Sequence, residues 1–365
     1  MSRFLSGAIS YIAGSDERGV SPVMRLIERI KSSSLPTDRR LAIIELTKEV
    51  AKSPARQLEA GRMGMVVLVA VLEQDRQHED TVKATLELLI QVCGRLEFIK
   101  DAGTDSADLD HRDSTDEMYA SDQRRWETDT AQAAQENCKI FAEIPNAVPL
   151  VLDILEEEDF YLRFNTIELI TALSVSQLEI MQAKVLESPV SLTRLVVMLR
   201  DKRHIIRNNV LLLLIALCKR KPELAKIFAF ENIFEFLFDI IEEESSSSSF
   251  HHSDSFTSER STSIDDLGPD AEALVVIHDC LHLMNNLLSG NPSNQSYFRE
   301  TGCIPRLNPL LDLKGLTSRA ATSIEDGTPS TARPITPQEA RNLQLALKVV
   351  YLLVSDNSPD SRKNQ

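Results

Sequence analysis

The residues whose types and spacing come nearest to chemistry are His278-Asp279-Cys280-Leu281-His282. On a helix, imidazoles at i and i+4 share one face, so two metal ligands beside a carboxylate approach the zinc-protease pattern. That pattern needs Glu as its base where Asp279 stands, and no third ligand is marked. A metal hydrolase acting through His278 and His282 is therefore the weaker reading, and helix-surface or packing histidines the stronger one. No GxSxG nucleophile elbow, phosphate-cradling glycine loop or cysteine with a signature histidine occurs in 365 residues, only 12 of which are Gly. The sequence predicts no catalytic residue, no metal and no cofactor.

What remains is recognition chemistry. Arg203, Arg207, Asn208 and Asn209 cluster in one stretch, and Asn285, Asn286, Asn294 and Gln295 in another. Arginine pairs carboxylates in a planar fork and asparagine can satisfy the backbone of an extended peptide, so these eight are candidate partner-binding residues. The competing expectation is that the asparagines tie turns by side-chain to backbone bonds. At the N-terminus, Phe4, Leu5, Ala8, Ile9 and Ile12 share one helical face opposite Ser2, Ser6 and Ser10. Such a face could touch a membrane, with Phe4, Leu5, Ile9 and Ile12 as contacts, or dock as a cap on the first repeat.

Composition sets the frame for these positions. With 40 basic against 55 acidic residues the net charge is −15, so there is no general attraction for phosphate backbones, and nucleic acid is not an expected partner. Five widely spaced cysteines, an odd number without a CxxC pair, read as reduced thiols of a cytosolic protein. The longest strongly apolar stretch, Val210 to Cys218, falls well short of the roughly 18 residues needed to cross a bilayer.

The elements that must position the candidates come from a hidden repeat. Apolar helices recur at LAIIEL (41–46), KATLELL (83–89), TIELITAL (166–173), VLLLLIAL (210–217), CLHLMNNLL (280–288) and LQLALKVVYLL (343–353). Aligning Leu46, Leu88, Leu169, Leu213, Leu283 and Leu345 gives two spacings near 43 and three longer ones. Each longer spacing holds one stretch of foreign composition: acidic from Asp101, serine-rich from Ser245 to Gly268, and proline-bearing from Thr317 to Gln338. Without these stretches every spacing falls near the ~40 to 47 of armadillo or HEAT repeats. A segment such as Leu162 to Ser174, apolar nearly all round, has to be sandwiched between neighbours. Three helices per unit favour the armadillo form.

The fold expectation is all-α: an armadillo-like right-handed superhelical solenoid of about six repeats with three low-complexity loop insertions. Its parts are an amphipathic segment at 1–22, a solenoid at 23–316 with disordered insertions at about 101–135 and 245–268, a flexible Ser/Thr/Pro loop at 317–338, a last repeat helix at 339–354 and a disordered tail at 355–365. A unit is expected to start at Ser191-Leu192-Thr193-Arg194, where Ser or Thr can cap a helix. In such a solenoid the third helices line the groove, which is where the Arg and Asn candidates fall.

The runs DRRLAIIEL (38–46), LVLDILEEEDFYLRFNTIELITAL (150–173), RLVVMLRDKRHIIRNNVLLLLIAL (194–217), KIFAFENIFEFLFDIIEEE (226–244) and VVIHDCLHLMNNLLSGNPSNQSYFRET (275–301) resemble the armadillo head of the general vesicular transport factors, and most nearly their plant golgin relatives. The resemblance covers roughly residues 20 to 301, in order. It implies a non-enzymatic scaffold of ER-to-Golgi and intra-Golgi transport, cytoplasmic and peripheral to Golgi or vesicle membranes. It further implies a Rab-family GTPase and tethering or fusion proteins as partners, and a homodimer. The family's long coiled coil and acidic tail have no counterpart before Gln365. The reading that competes with it is a general armadillo adapter for extended peptides. Such grooves rely on repeated Trp and Asn ladders, and the single Trp126 falls in the first insertion.

Overall fold

The computed structural model describes residues 20–94, 114–250, 269–311 and 335–355. Among these residues all regular structure is helical. The chain divides into two compact units, Met1–Ser191 and Leu192–Gln365, where the sequence suggested one continuous array.

In the first unit α1 (Pro22–Ser32), α2 (Pro36–Val50), α3 (Pro54–Gln74), α4 (Glu79–Cys93), α5 (Ser114–Glu143), α6 (Ala147–Asp153) and α7 (Phe160–Ser176) are followed by α8 (Leu178–Leu186). A helix α9 (Pro189–Val197) runs through the junction. The second unit continues with α10 (His204–Cys218), α11 (Pro222–Phe230), α12 (Ile233–Phe250), α13 (Pro269–Leu288), α14 (Pro292–Glu300), α15 (Asn308–Leu311) and α16 (Pro337–Val354). The starts are written locally. Proline opens α1, α2, α3, α11, α14 and α16, and Ser21, Ser53 and Asp159 accept a backbone N–H of the first turn they precede. Thr336 and Glu339 complete a capping box on α16.

The six apolar runs are α2, α4, α7, α10, α13 and α16; the last four each close a set of three helices, whereas among the described residues α2 follows α1 alone and α4 follows α3 alone, where three helices per unit were expected. In the first unit α4 packs against both α2 and α7, and in the second α13 packs against both α10 and α16. Leu46, Leu88, Leu169, Leu213 and Leu283 are fully buried, as the repeat alignment requires. The last repeat is displaced by one position: Leu345 is half-buried, while Ala346 and Val349 fill the core.

Three boundaries differ from the sequence reading. Residues 114–135, expected within a disordered insertion, are helical and belong to α5, which also carries Trp126. The C-terminal part of that helix buries Ala133, Ala134, Asn137, Cys138, Phe141 and Ala142, and extending an anchored helix costs far less than starting one. By the same logic residues 245–250 continue α12 instead of opening a loop. The helix expected to start at Ser191 begins at Pro189, and Ser191 is held inside its first turn by Ser188, Oγ to Oγ 2.7 Å. The expected membrane-contact face of Phe4, Leu5, Ile9 and Ile12 lies outside the described residues, as does most of the 317–338 loop.

The repeats are joined by buried amides. A helix leaves its last carbonyls without an intrahelical partner. At the end of α4, the Gln57 amide donates to the carbonyls of Gln91 (3.3 Å) and Val92 (3.0 Å), and Asn137 of α5 donates to Val92 (3.0 Å) and to Gln57 of α3 (3.0 Å). The second unit repeats the device. Asn294 of α14 donates to Leu287 at the end of α13 (2.7 Å) and to Ala225 of α11 (3.0 Å), and Gln295 donates to Leu288 (3.0 Å). In the first unit this demands close approach: a Cβ on Gly61 would fall 1.8 Å from Asn137 Oδ1. Gly61→Ala should therefore lower unfolding stability by about 1–3 kcal/mol in denaturant titration, against the gain of up to ~1 kcal/mol usual for Gly→Ala in a helix.

Candidate functional site

The helices α10 and α13 of the second unit carry most of the residues singled out by sequence, with Asn294 and Gln295 on α14, and the structure separates them into two groups. Arg207 is buried, 3 % exposed, and its guanidinium donates to Glu243 of α12 at 2.6 Å and to Glu244. Asn285 donates to Leu281 one turn back (2.8 Å) and to Leu345 of α16 (3.1 Å). With Asn294 and Gln295 on the carbonyls already described, these four side chains hold the fold together. They do not present a binding surface, because each is buried and committed to a partner within the unit. The sequence reading of them as partner-facing is corrected on that ground. The asparagine ties were the competing expectation, and the geometry supplies them.

The second group stays accessible. Arg203 precedes α10 and forks onto Asp201, Nε to Oδ1 at 2.8 Å and Nη2 to Oδ2 at 2.7 Å. Asn208, Asn209 and Asn286 are half-buried, and Asn208 accepts a long bond from Arg207 Nε at 3.4 Å. Sequence reasoning missed Asn137 and Gln57. Asn137 acts as Asn294 does, and setting Asn137-Cys138 beneath Asn294-Gln295 in the repeat alignment would have exposed it; Gln57, on the helix ahead of the one it ties, has no counterpart there.

His278 and His282 share one face of α13 with ring centroids 6.3 Å apart. His278 Nδ1 is engaged by Asn342 Oδ1 of α16 at 3.2 Å. Among the described residues no group of three or more His, Cys, Asp or Glu could hold a metal ion, so the pair does not fit a zinc site. Burial pushes the Asp279 carboxyl up to about 6, which reflects desolvation, with no cation paired to it. The open cleft between α1 and α2 holds about 550 Å³; Arg29–Glu45 (3.0 Å) spans it, while Glu49 on its α2 side pairs with Lys52 and with Arg56 of α3. No helix of the described residues is long and apolar enough to cross a membrane.

Two outcomes follow from this geometry. Arg207→Ala strands Glu244 in a buried site and should cost about 3–5 kcal/mol by chemical denaturation. The folded-state pKa of Asp279 lies above its unfolded value, so its contribution to stability is full below about pH 4 and is lost as pH rises through about 6. Asp279→Asn should accordingly raise stability by about 1–2 kcal/mol at neutral pH and change little near pH 4, read from melts at both.

No protein-family model matches the chain. Curated relatives do. The chain is 30% identical over 357 residues to general vesicular transport factor p115 of Bos taurus, covering 98% of this chain and 31% of that protein. It is 32% identical over 364 residues to Golgin candidate 6 of Arabidopsis thaliana, covering 98% and 33%, and 30% identical over 302 residues to the intracellular protein transport protein USO1 of Saccharomyces cerevisiae, covering 78% and 14%. The chain thus spans about a third of the length of the first two relatives. Among solved structures, Uso1-2 superposes with a TM-score of 0.67 at 26% identity, over 94% of this chain and 44% of that one. A designed armadillo repeat protein matches at a TM-score of 0.53 and 13% identity over 89% of this chain and 98% of that one, which speaks for the fold alone. The fold is the all-α armadillo array, and over nearly its whole length the chain is homologous to about a third of the general vesicular transport factors.

Proposed function

We propose that the chain is a non-enzymatic protein-interaction scaffold, the armadillo part of a vesicle-tethering factor of ER-to-Golgi and intra-Golgi transport. In this reading it binds a Rab-family GTPase together with tethering or fusion proteins, acts as a homodimer, and works on the cytoplasmic side of Golgi or vesicle membranes as a peripheral protein. The observation that carries the reading is the 30% identity to a vesicular transport factor across 98% of the chain. A second support is that the polar residues divide into a buried set that joins repeats and a half-buried set, Arg203, Asn208, Asn209 and Asn286. Arg203 is preorganised by Asp201 and can exchange one oxygen for a partner carboxylate.

The test is a pull-down of the full chain with a panel of Rab-family GTPases in both nucleotide states. The expected result is retention by one member in its GTP form and roughly tenfold weaker retention by Arg203→Glu with an unchanged melting temperature. Equal retention in both nucleotide states, or none across the panel, sinks the GTPase reading. Unchanged binding by Arg203→Glu removes that residue from the surface.

A further inference from the structure

The second unit grows by laying one apolar helix on the last. α13 packs on α10 and α16 on α13, whereas the helices packed against α16, namely α13, α14 and α15, all precede it. With Ala346 of α16 set on the core positions Leu283 and Leu213, the residues Leu343, Leu347, Val350 and Tyr351 fall where α13 carries Cys280, Met284, Leu287 and Leu288. Those four residues of α13 are buried, as are their counterparts Val210, Leu214, Leu217 and Cys218 of α10. On α16 the same positions stay open. Leu347 and Tyr351 are 54 % and 69 % exposed, Val354 further along is 77 % exposed, and Leu343 and Val350 are half-buried. The helix thus presents, uncovered, the face that its predecessors bury.

The spacing and the charge of that face say what can cover it. Ala340, Leu343, Leu347, Val350 and Val354 recur at alternating steps of three and four, the repeat of an apolar seam along which two helices pack. No carboxylate stands on it: Glu339, the one acid of α16, is held at the N-terminus by the capping box, and Arg341 and Lys348 lie off the seam. In a chain of net charge −15, two copies can meet here without setting acid against acid. The ten residues that follow Ser355 in this sequence hold no Val, Leu, Ile, Met or aromatic residue, so they offer the seam no apolar cover.

We propose that the seam from Ala340 to Val354 of α16 is a self-association surface, covered by the same seam of a second copy of this chain about a two-fold axis. Such an isologous contact closes after two copies and does not grow into a filament. An axis through the middle of the seam sets Leu347 opposite its own copy. At about 1.5 Å per residue the seam is only about 22 Å long, so the dimer belongs to the weak, reversible class. This gives a surface to the homodimer of the proposed function and rests on that part of the reading alone; a failed GTPase pull-down leaves it standing.

The experiment is sedimentation velocity of the full chain over a dilution series from about 100 μM to about 1 μM. The expected result is a monomer–dimer equilibrium with dimer prevailing at the upper end. The Leu347→Glu/Tyr351→Glu variant should raise the dissociation constant at least roughly tenfold without a change in thermal melting, since both side chains are exposed in the single chain. All five native cysteines are buried, so Leu347→Cys should give a disulfide-linked dimer under copper–phenanthroline oxidation, while Arg341→Cys, off the seam, should not. A dimer that forms equally well in the double Glu variant, or that Leu347→Cys fails to link, overturns the seam and leaves the homodimer on another surface. A monomer at every concentration overturns both the seam and the homodimer. If the double Glu variant of such a monomer also melts at a lower temperature, the seam is covered by a segment of its own chain.

Discussion

Everything in this fold depends on how a helix ends inside a stack. The helices α4 and α13 are each packed between two neighbours, so the last turn stops where solvent cannot reach all of its carbonyls. The neighbouring repeat supplies the missing donor through a buried asparagine that grips a carbonyl of the ending helix and, in the same residue, the backbone of the helix that opened that repeat. Asn137 does this in one unit and Asn294 in the other, with the same two kinds of partner. Apolar packing could slide by a turn at modest cost. A side chain bonded to two fixed carbonyls cannot, and repeat register is set there.

The periodic part of this architecture was legible in the sequence because it is written in bulk hydrophobicity. Five of six aligned leucines are fully buried, and the sixth misses by one residue. What did not show was the use of polar residues. Arg207, Asn285 and Asn294 have the composition of a binding surface, and only the contacts they make in three dimensions, with Glu244, Leu345 and Ala225 respectively, turn them into structure. Burial of a polar side chain depends on partners distant in sequence, and no local pattern encodes them. The stretch ahead of Ala133 misled for a related reason: its composition is that of a solvated segment, yet it continues a helix anchored further along.

The division of polar residues also sets what the scaffold proposed above can present to a partner. The interior amides and the Arg207 cluster hold the third helices in fixed register, so whatever those helices present outward is held at the helix spacing with little conformational freedom left to lose. Recognition then depends on which side chain stands at each step of an already rigid lattice.

Gly61 and Asn137 illustrate what such a lattice does to sequence drift. The carboxamide occupies the volume in which any side chain at 61 would begin, and that carboxamide is also the link between α3, α4 and α5. Neither position can be exchanged first without passing through a weakened intermediate, so the two form an epistatic pair: they persist together or are replaced together. At exposed positions divergence can proceed residue by residue, while at this contact, as at the buried Arg207–Glu244 pair, it must move in coupled steps.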